Sequence, residues 1–277
     1  MTVTVPEVAT MGDNCIDLYL PPYSVSAVGG QALNVAVILS RLGWVSEYLG
    51  AVGDDPHGRR ITQTLDSEQV ITSRVQVKST ATATTDVQVL PHGDRLLLNE
   101  VQGACEELQP TAEDFAHLVG VRHVHAANLP NYRTIARKLA QIGVPMSYDF
   151  STTGELEDLE GIAIGFYSSD LKPDSEELNA FATKAINAGL QTVVITCGEF
   201  GSVVFENGER TIFQATAVEV VDTCGAGDTY AAAFISERLK GSSMADAMAK
   251  ATTMASQACL HLGAWVQAFE DFPSRVN

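Results

Sequence analysis

From His117 onward the chain alternates between two textures. Short apolar runs such as "HVHAANL", "PMSYDFS", "IAIGFYSS" and "TVVITCG" are separated by segments with helical spacing, "YRTIARKLAQIG" and "DSEELNAFATKAINAG". Strands that alternate with helices imply a parallel sheet covered on both faces. The predicted fold class is therefore α/β: a doubly wound, mostly parallel sheet whose ligands bind at the carboxyl ends of the strands. Near the start, "TVPEVATMGDNCIDLYL" reads as strand, polar break and second strand, and "ALNVAVILSRLG" as a helix stopped by Gly43. The stretch from Ile71 to Gln102 differs: it is rich in Thr and Val, roughly alternating, with a turn at "PHGDR". That pattern predicts antiparallel strands. With "YLPPYSVSA" they form a lid or dimer patch rather than a second core, so residues 1–277 read as one domain with a β lid from about 18–28 and 71–104.

The segment "ATAVEVVD" reads as a further strand, and "TYAAAFISERLKG" and "MADAMAKATTMASQACLHLG" as two closing helices. Between them lies "DTCGAGDT", Asp222 to Thr229. A glycine-rich turn that opens a helix is suited to an anion, because free N–H groups and the helix dipole point at it. A Walker A loop is excluded by the absence of its Lys. A dinucleotide fingerprint is excluded because its sixth position is Tyr230. Neither motif wants the carboxylate that ends this turn, Asp228. A kinase acting on an alcohol does, since the attacking hydroxyl must lose a proton beside the amides that hold the phosphoryl group. The alternative reading of Asp228 is a helix cap or first-turn dipole partner.

Composition narrows the function classes. The net charge is -17 and no Lys/Arg cluster occurs, which sets nucleic-acid partners aside. No apolar run approaches the ~20 residues that span a membrane. The five cysteines are odd in number and scattered, without C-x-x-C, which fits a reducing cytoplasm better than a disulfide framework. The first eleven residues lack Lys and Arg, so no signal-peptide start is expected. His123 and His125 form H-x-H on a predicted strand with both rings on one side. With His261 they invite a metal, but no third ligand is evident, and a core or rim position is the expectation.

"DTCGAGDTYAAAF" resembles the C-terminal signature of the ribokinase-like, or PfkB, family of sugar kinases, and "GGQALNVAVILSRLG" (Gly29 to Gly43) is similar to its N-terminal signature. "VGDDPHG" lies between them where the family has a similar turn. "GDNCIDLY", "HAANLP", "YDFS" and "HLGAW" resemble the branch that phosphorylates O6 of fructoselysine, a sugar joined to a lysine side-chain amine. The resemblance implies ATP, Mg2+ and K+ as cofactors, a sugar or sugar-amine as substrate, and a homodimer paired through the lid. It makes Asp228 the catalytic base and Gly225, Ala226 and Gly227 the anion hole. It makes Asp17, Gly30 and Asn34 sugar contacts, Gly30 by letting the sugar approach backbone, with Asp13 a further contact that could face the ammonium of the acceptor's arm. Thr196, Gly198 and Thr252 would lie along ATP. "KPDSEE" is similar to the family's N-x-x-E motif, which organises magnesium through water, with Asp174 in place of Asn and Glu177 in the last position. An N-capped helix predicts the same letters. Asp222 and Cys224 match positions that hold potassium in many relatives; a plain turn closure by Asp222 is the alternative. A fructokinase, ribokinase or nucleoside kinase of the same fold is the runner-up, and a non-catalytic sugar-binding regulator is the contrasting class.

Overall fold

The alternating segments assemble into an eight-stranded sheet. Six strands run parallel: β1 (Val8–Gly12), β4 (Ser46–Leu49), β9 (His123–Ala127), β10 (Met146–Ser151), β11 (Ile164–Ser168) and β12 (Thr192–Thr196). β13 (Ser202–Glu206) and β14 (Glu209–Phe213) form an antiparallel hairpin at one edge, giving the order β14-β13-β12-β11-β10-β9-β1-β4. The computed structural model describes residues 5–272, so the two ends of the expected domain lie outside the described residues.

Among the described residues, seven helices pack around the sheet: α1 (Gln31–Arg41), α2 (Pro56–Ser67), α3 (Ala112–His117), α4 (Tyr132–Gln141), α5 (Glu176–Asn187), α6 (Ala226–Lys240) and α7 (Met244–Ala258). One face is covered by α4 and α5, whose Ile135, Leu139, Leu178 and Ala182 pack with Met11, Val124 and Ile195 of the strands. The other is covered by α1, α6 and α7, through Val35, Phe234 and Met248 against Val8, Phe166 and Val194. Both faces being buried is why β1 and β9 carry no exposed position. Local chemistry sets the helix ends. Asp55 accepts from Gly58 N–H with Pro56 behind it, Ser175 accepts from Leu178 N–H, Ser243 from Asp246 N–H, and α6 stops at Gly241 in the left-handed region.

The smaller sheet sits over the carboxyl edge. It contains β2 (Cys15–Tyr19), β3 (Val25–Gly29), β7 (Thr84–Val89), β8 (Arg95–Val101) and β15 (Glu270–Asp271), in the order β15-β3-β2-β7-β8. Its pairs are antiparallel except β2–β7, which is parallel. The expected lid boundary is corrected here. Residues 71–83 do not join the lid: β6 (Gln76–Lys78) pairs in parallel with β5 (Ala51–Gly53), and Ile71 bridges Glu47. Asp55 holds the connecting chain back, accepting from Thr82 N–H and Oγ1, both at 2.8 Å. The strand expected over "ATAVEVVD" is also absent. Its backbone bonds go elsewhere, Val221 N–H to Cys259 O (2.8 Å), and the next residue, Thr223, donates its N–H to Gly93 O in the lid (3.0 Å).

Candidate active site

The polar residues at the carboxyl edge of the parallel strands face the N-termini of α1 and α6. Asp13 follows β1, Asn128 follows β9, and Asp149 and Ser151 end β10. Asp228 is in the first turn of α6, and α1 packs against α6 directly. Asn34 of α1 donates from Nδ2 to Asp228 Oδ2 at 2.6 Å, joining residues 194 apart in the chain. Asp228 is 6% exposed. Burial pushes its pKa up to about 8; the Asn34 bond opposes the shift, and the Asp149 and Asp13 carboxylates add to it. Asp149 is likewise pushed up by burial, to about 6, against the Ser151 N–H that it accepts at 2.7 Å.

Asp13 is anchored by three hydrogen bonds. Its Oδ1 accepts from Ala32 N–H (3.0 Å) and its Oδ2 from Gln31 N–H (3.1 Å) and Asn128 Nδ2 (3.2 Å). It thus caps α1, whose own N-cap is a glycine without a side chain to offer. That glycine, Gly30, has φ +111°, and a Cβ there would meet the Cα of Asn14 and lie 2.9 Å from Asp13 O. A side chain at this position is therefore excluded by tight backbone packing. Asp17 projects from the lid, 6% exposed, with Cys15 Sγ donating to Oδ1 at 3.1 Å. Burial pushes its pKa up to about 7, against the Cys15 bond and the Arg95 charge.

Gly225 caps α6 in the left-handed region. Of the three amides expected to form the anion hole, Ala226 N–H donates to Thr223 O at 3.2 Å. Gly227 is exposed, with no atom within 4 Å of the place a Cβ would take, so it opens onto free space. Asp222 is fully buried and clamps the turn. Oδ1 accepts from Cys224 N–H (2.9 Å), and Oδ2 from Tyr19 O–H (2.9 Å) and Gly263 N–H (2.9 Å). Here three donors converge, so this carboxylate acts as a turn clamp. Burial holds the Cys224 thiol protonated.

Along the nucleotide side, Thr196 ends β12 with Oγ1 donating to Tyr167 O (3.2 Å), and Gly198 (φ +52°) faces open space. Thr252 of α7 is 6% exposed, and its Oγ1 has no partner among the described residues, which fits a group awaiting a ligand. Asp174 and Glu177 are exposed beside the Ser175 cap of α5. As free oxygen donors in water they fit magnesium held through water. His123 and His125 are buried, both ring nitrogens 2.8 Å from Ser147 Oγ. Burial pushes their pKa values down to about 4 and about 3, so both are neutral side chains of the sheet.

Four site residues lie within stretches noted in the sequence but were not singled out there: Gln31, Arg95, Asn128 and Asp149. Gln31 Nε2 reaches Ser151 Oγ (2.8 Å), and Asn128 Nδ2 reaches Gln31 Oε1 (2.9 Å). Arg95 of β8 donates to Thr223 Oγ1 (2.9 Å) and O (3.2 Å), tying the lid to the glycine turn.

Comparison with known proteins agrees with this geometry. The pfkB family carbohydrate kinase profile matches residues 7–268. The fructoselysine 6-kinase of Shigella flexneri is 31% identical over 259 residues, covering 93% of this chain and 98% of that one. Among solved structures, the Arabidopsis thaliana ribokinase complexed with ribose and ATP superposes with TM-score 0.81 at 24% identity, over 94% of this chain and 95% of that one. An E. coli protein solved with ATP and Mg2+ superposes with TM-score 0.79 at 21% identity, over 94% of each chain. The ribokinase-like fold and the family profile across nearly its whole length together establish that the chain belongs to the pfkB family of carbohydrate kinases and is an ATP-dependent sugar kinase.

Proposed function

We propose that this kinase transfers the γ-phosphoryl group of ATP to O6 of fructoselysine or a related fructosamine, with Asp228 as general base. The observation that carries the base assignment is a buried carboxylate with its pKa pushed up to about 8, fixed by Asn34 in the first turn of a glycine-opened helix. A base whose pKa lies near the working pH is half-ready to take a proton and strong enough to hold it. The acceptor O–H donates to Asp228. As O6 forms its bond to phosphorus, the proton passes to the carboxylate and the bond to the β–γ bridging oxygen breaks, releasing ADP. Charge on the transferring group meets the amides of Gly225 and Gly227 and the positive end of α6. Ala226 N–H is spent on Thr223 O. Asp13, Asp17 and Asn34 fix sugar hydroxyls, while Thr196, Gly198 and Thr252 border the nucleotide. Magnesium, held by Asp174 and Glu177 through water, would neutralise phosphate charge. A reducing cytoplasm suits the five free cysteines.

Support for the acceptor comes from the 98% coverage of the fructoselysine 6-kinase relative. We expect kcat/KM for fructoselysine to exceed that for fructose by at least ~10-fold, which requires only ~1.4 kcal/mol of added transition-state binding. An ATP-consumption screen across fructosamines, hexoses, pentoses and nucleosides measures this. Better turnover of fructose, ribose or a nucleoside than of every fructosamine would return the acceptor to the fructokinase, ribokinase or nucleoside kinase reading.

The lid supports a homodimer. β8 is its edge strand, with Leu96, Leu97, Leu98 and Val101 exposed by 45%, 44%, 37% and 54%. An unpaired apolar edge of this kind needs a partner. Sedimentation at micromolar concentration should give the mass of two chains; a single-chain mass there removes this reading.

A further inference from the structure

We infer that the open cleft beside Asn128 is the subsite for the acceptor's amino-acid arm, with Glu106 as the partner of the arm's ammonium group; this rests on the fructosamine reading above. The cleft has a volume of about 350 Å³ and is bordered by Gln102 and Glu106 on one side and Asn128 and Pro130 on the other. Tyr132 and Tyr148 supply its apolar wall, with ring centroids stacked 4.3 Å apart. Asn128, held in the left-handed region at φ +43°, belongs to two places at once. It borders this cleft, and its Nδ2 bonds Asp13 and Gln31 on the sugar side.

A sugar with O6 at Asp228 carries C1, the atom that bears the arm, at its other end. Two hydrogen-bonded groups follow one another along α1: Asn34 with Asp228, and, three residues earlier, Gln31 with Asp13 and Asn128. The cleft is the space that opens beyond that last residue. Its chemistry suits the arm. The lining includes one carboxylate, the exposed Glu106, and no Lys or Arg. Tyr132 is covered by Tyr148 and by the Arg133 guanidinium, 4.8 Å over its ring. The arm's methylenes therefore lie against the ring edges while the ammonium reaches Glu106, and the arm's own carboxylate can stay in water because the cleft is open. Asp13, the acid that sequence alone suggested for this ammonium, cannot serve so well. Its oxygens are already taken by two α1 amides and Asn128.

The test is a coupling cycle on the full chain. kcat/KM is measured for fructoselysine, for fructoselysine acetylated at its α-amino group, and for fructose, with wild type and Glu106→Gln. A partly exposed charge pair supports a loss of about 5-fold for fructoselysine in Glu106→Gln, a similar loss on acetylation in wild type, and no further loss when both are made. Fructose turnover should not change. Multiplying losses, an unchanged fructoselysine value, or equal losses for fructoselysine and fructose would each overturn the cleft assignment while leaving fructosamine turnover in place. Absence of turnover for every fructosamine, with another sugar turned over, would overturn both this and the acceptor assignment. Glu106 is exposed, so melting curves of the two proteins should coincide.

Discussion

Asp228→Asn should lower kcat by about 10²–10⁴, the range for a positioned acid–base group, while ATP binding is retained. The substitution is nearly isosteric, and its side-chain oxygen can still accept from Asn34 Nδ2, so the turn keeps its shape and loses only the proton acceptor. The pH profile gives a second readout. The base must be deprotonated, so wild-type kcat/KM should climb with pH and level off above about 8, where the Asp228 pKa is pushed. Asp149, pushed up to about 6, and Asp13 share the same field, so the observed midpoint belongs to the cluster. Asp228→Asn should flatten this limb. Stability should move the other way. The folded carboxyl binds its proton more tightly than the unfolded one. Its contribution to stability is therefore complete below about pH 4 and declines until the pH passes about 8. The Asn variant lacks this penalty and should melt higher than wild type at pH 8–9, with the gap closing toward pH 4. Near-normal turnover would remove Asp228 from the mechanism, and equal melting at pH 9 would mean its charge is not desolvated.

A buried carboxylate at a helix start is the part of the candidate site that could be read in advance. "GAGDT" announces its chemistry locally: the glycines, the helix start and the acid are neighbours, and the structure places Gly225 and Asp228 at the head of α6 as that spacing implies. Asn34 was singled out through the family resemblance of "GGQALN", and its bond to Asp228 became visible only in the structure. The doubly wound sheet followed from apolar runs buried on two faces. What failed was decided by distant partners. Arg95 has its partner Thr223 128 residues away. Asn128 meets Asp13 across 115 residues. For Asp222 the letters permitted two duties, and the clamp became visible only through Tyr19, 203 residues away. "ATAVEVVD" has the composition of a strand, but it pairs with no strand among the described residues. Its bonds go to Cys259, and that of the next residue, Thr223, to the lid.

The glycine turn also carries a prediction in which packing and chemistry separate. At Gly225, φ is +72°, and an added Cβ would lie 2.5 Å from the Cα of Ala264 and closer still to its Cβ. Neither atom is the loose end of a flexible side chain. Ala264 is 2% exposed, next to Trp265 at 3%, and its neighbour Gly263 is tied to Asp222. A left-handed alanine costs about 1 kcal/mol or more, and overpacking typically adds about 1–3 kcal/mol. Gly225→Ala should therefore destabilise the fold by about 2–4 kcal/mol on those two terms. The strain acts on the Asp222 clamp and on the first turn of α6, which holds the base. A shift of about 1 Å there costs about 10²-fold in rate. At Gly227 a Cβ meets nothing within 4 Å and no positive φ opposes it, so Gly227→Ala should leave thermal stability unchanged or slightly raised. Its methyl instead enters the open space assigned to the phosphoryl group, and kcat should fall without loss of fold. Thermal melts and single-turnover rates on both variants separate the two effects. Unchanged kcat in folded Gly227→Ala would place the phosphoryl group elsewhere. Unchanged melting in Gly225→Ala would mean that the Ala264 segment yields freely, and that the anion hole does not depend on it.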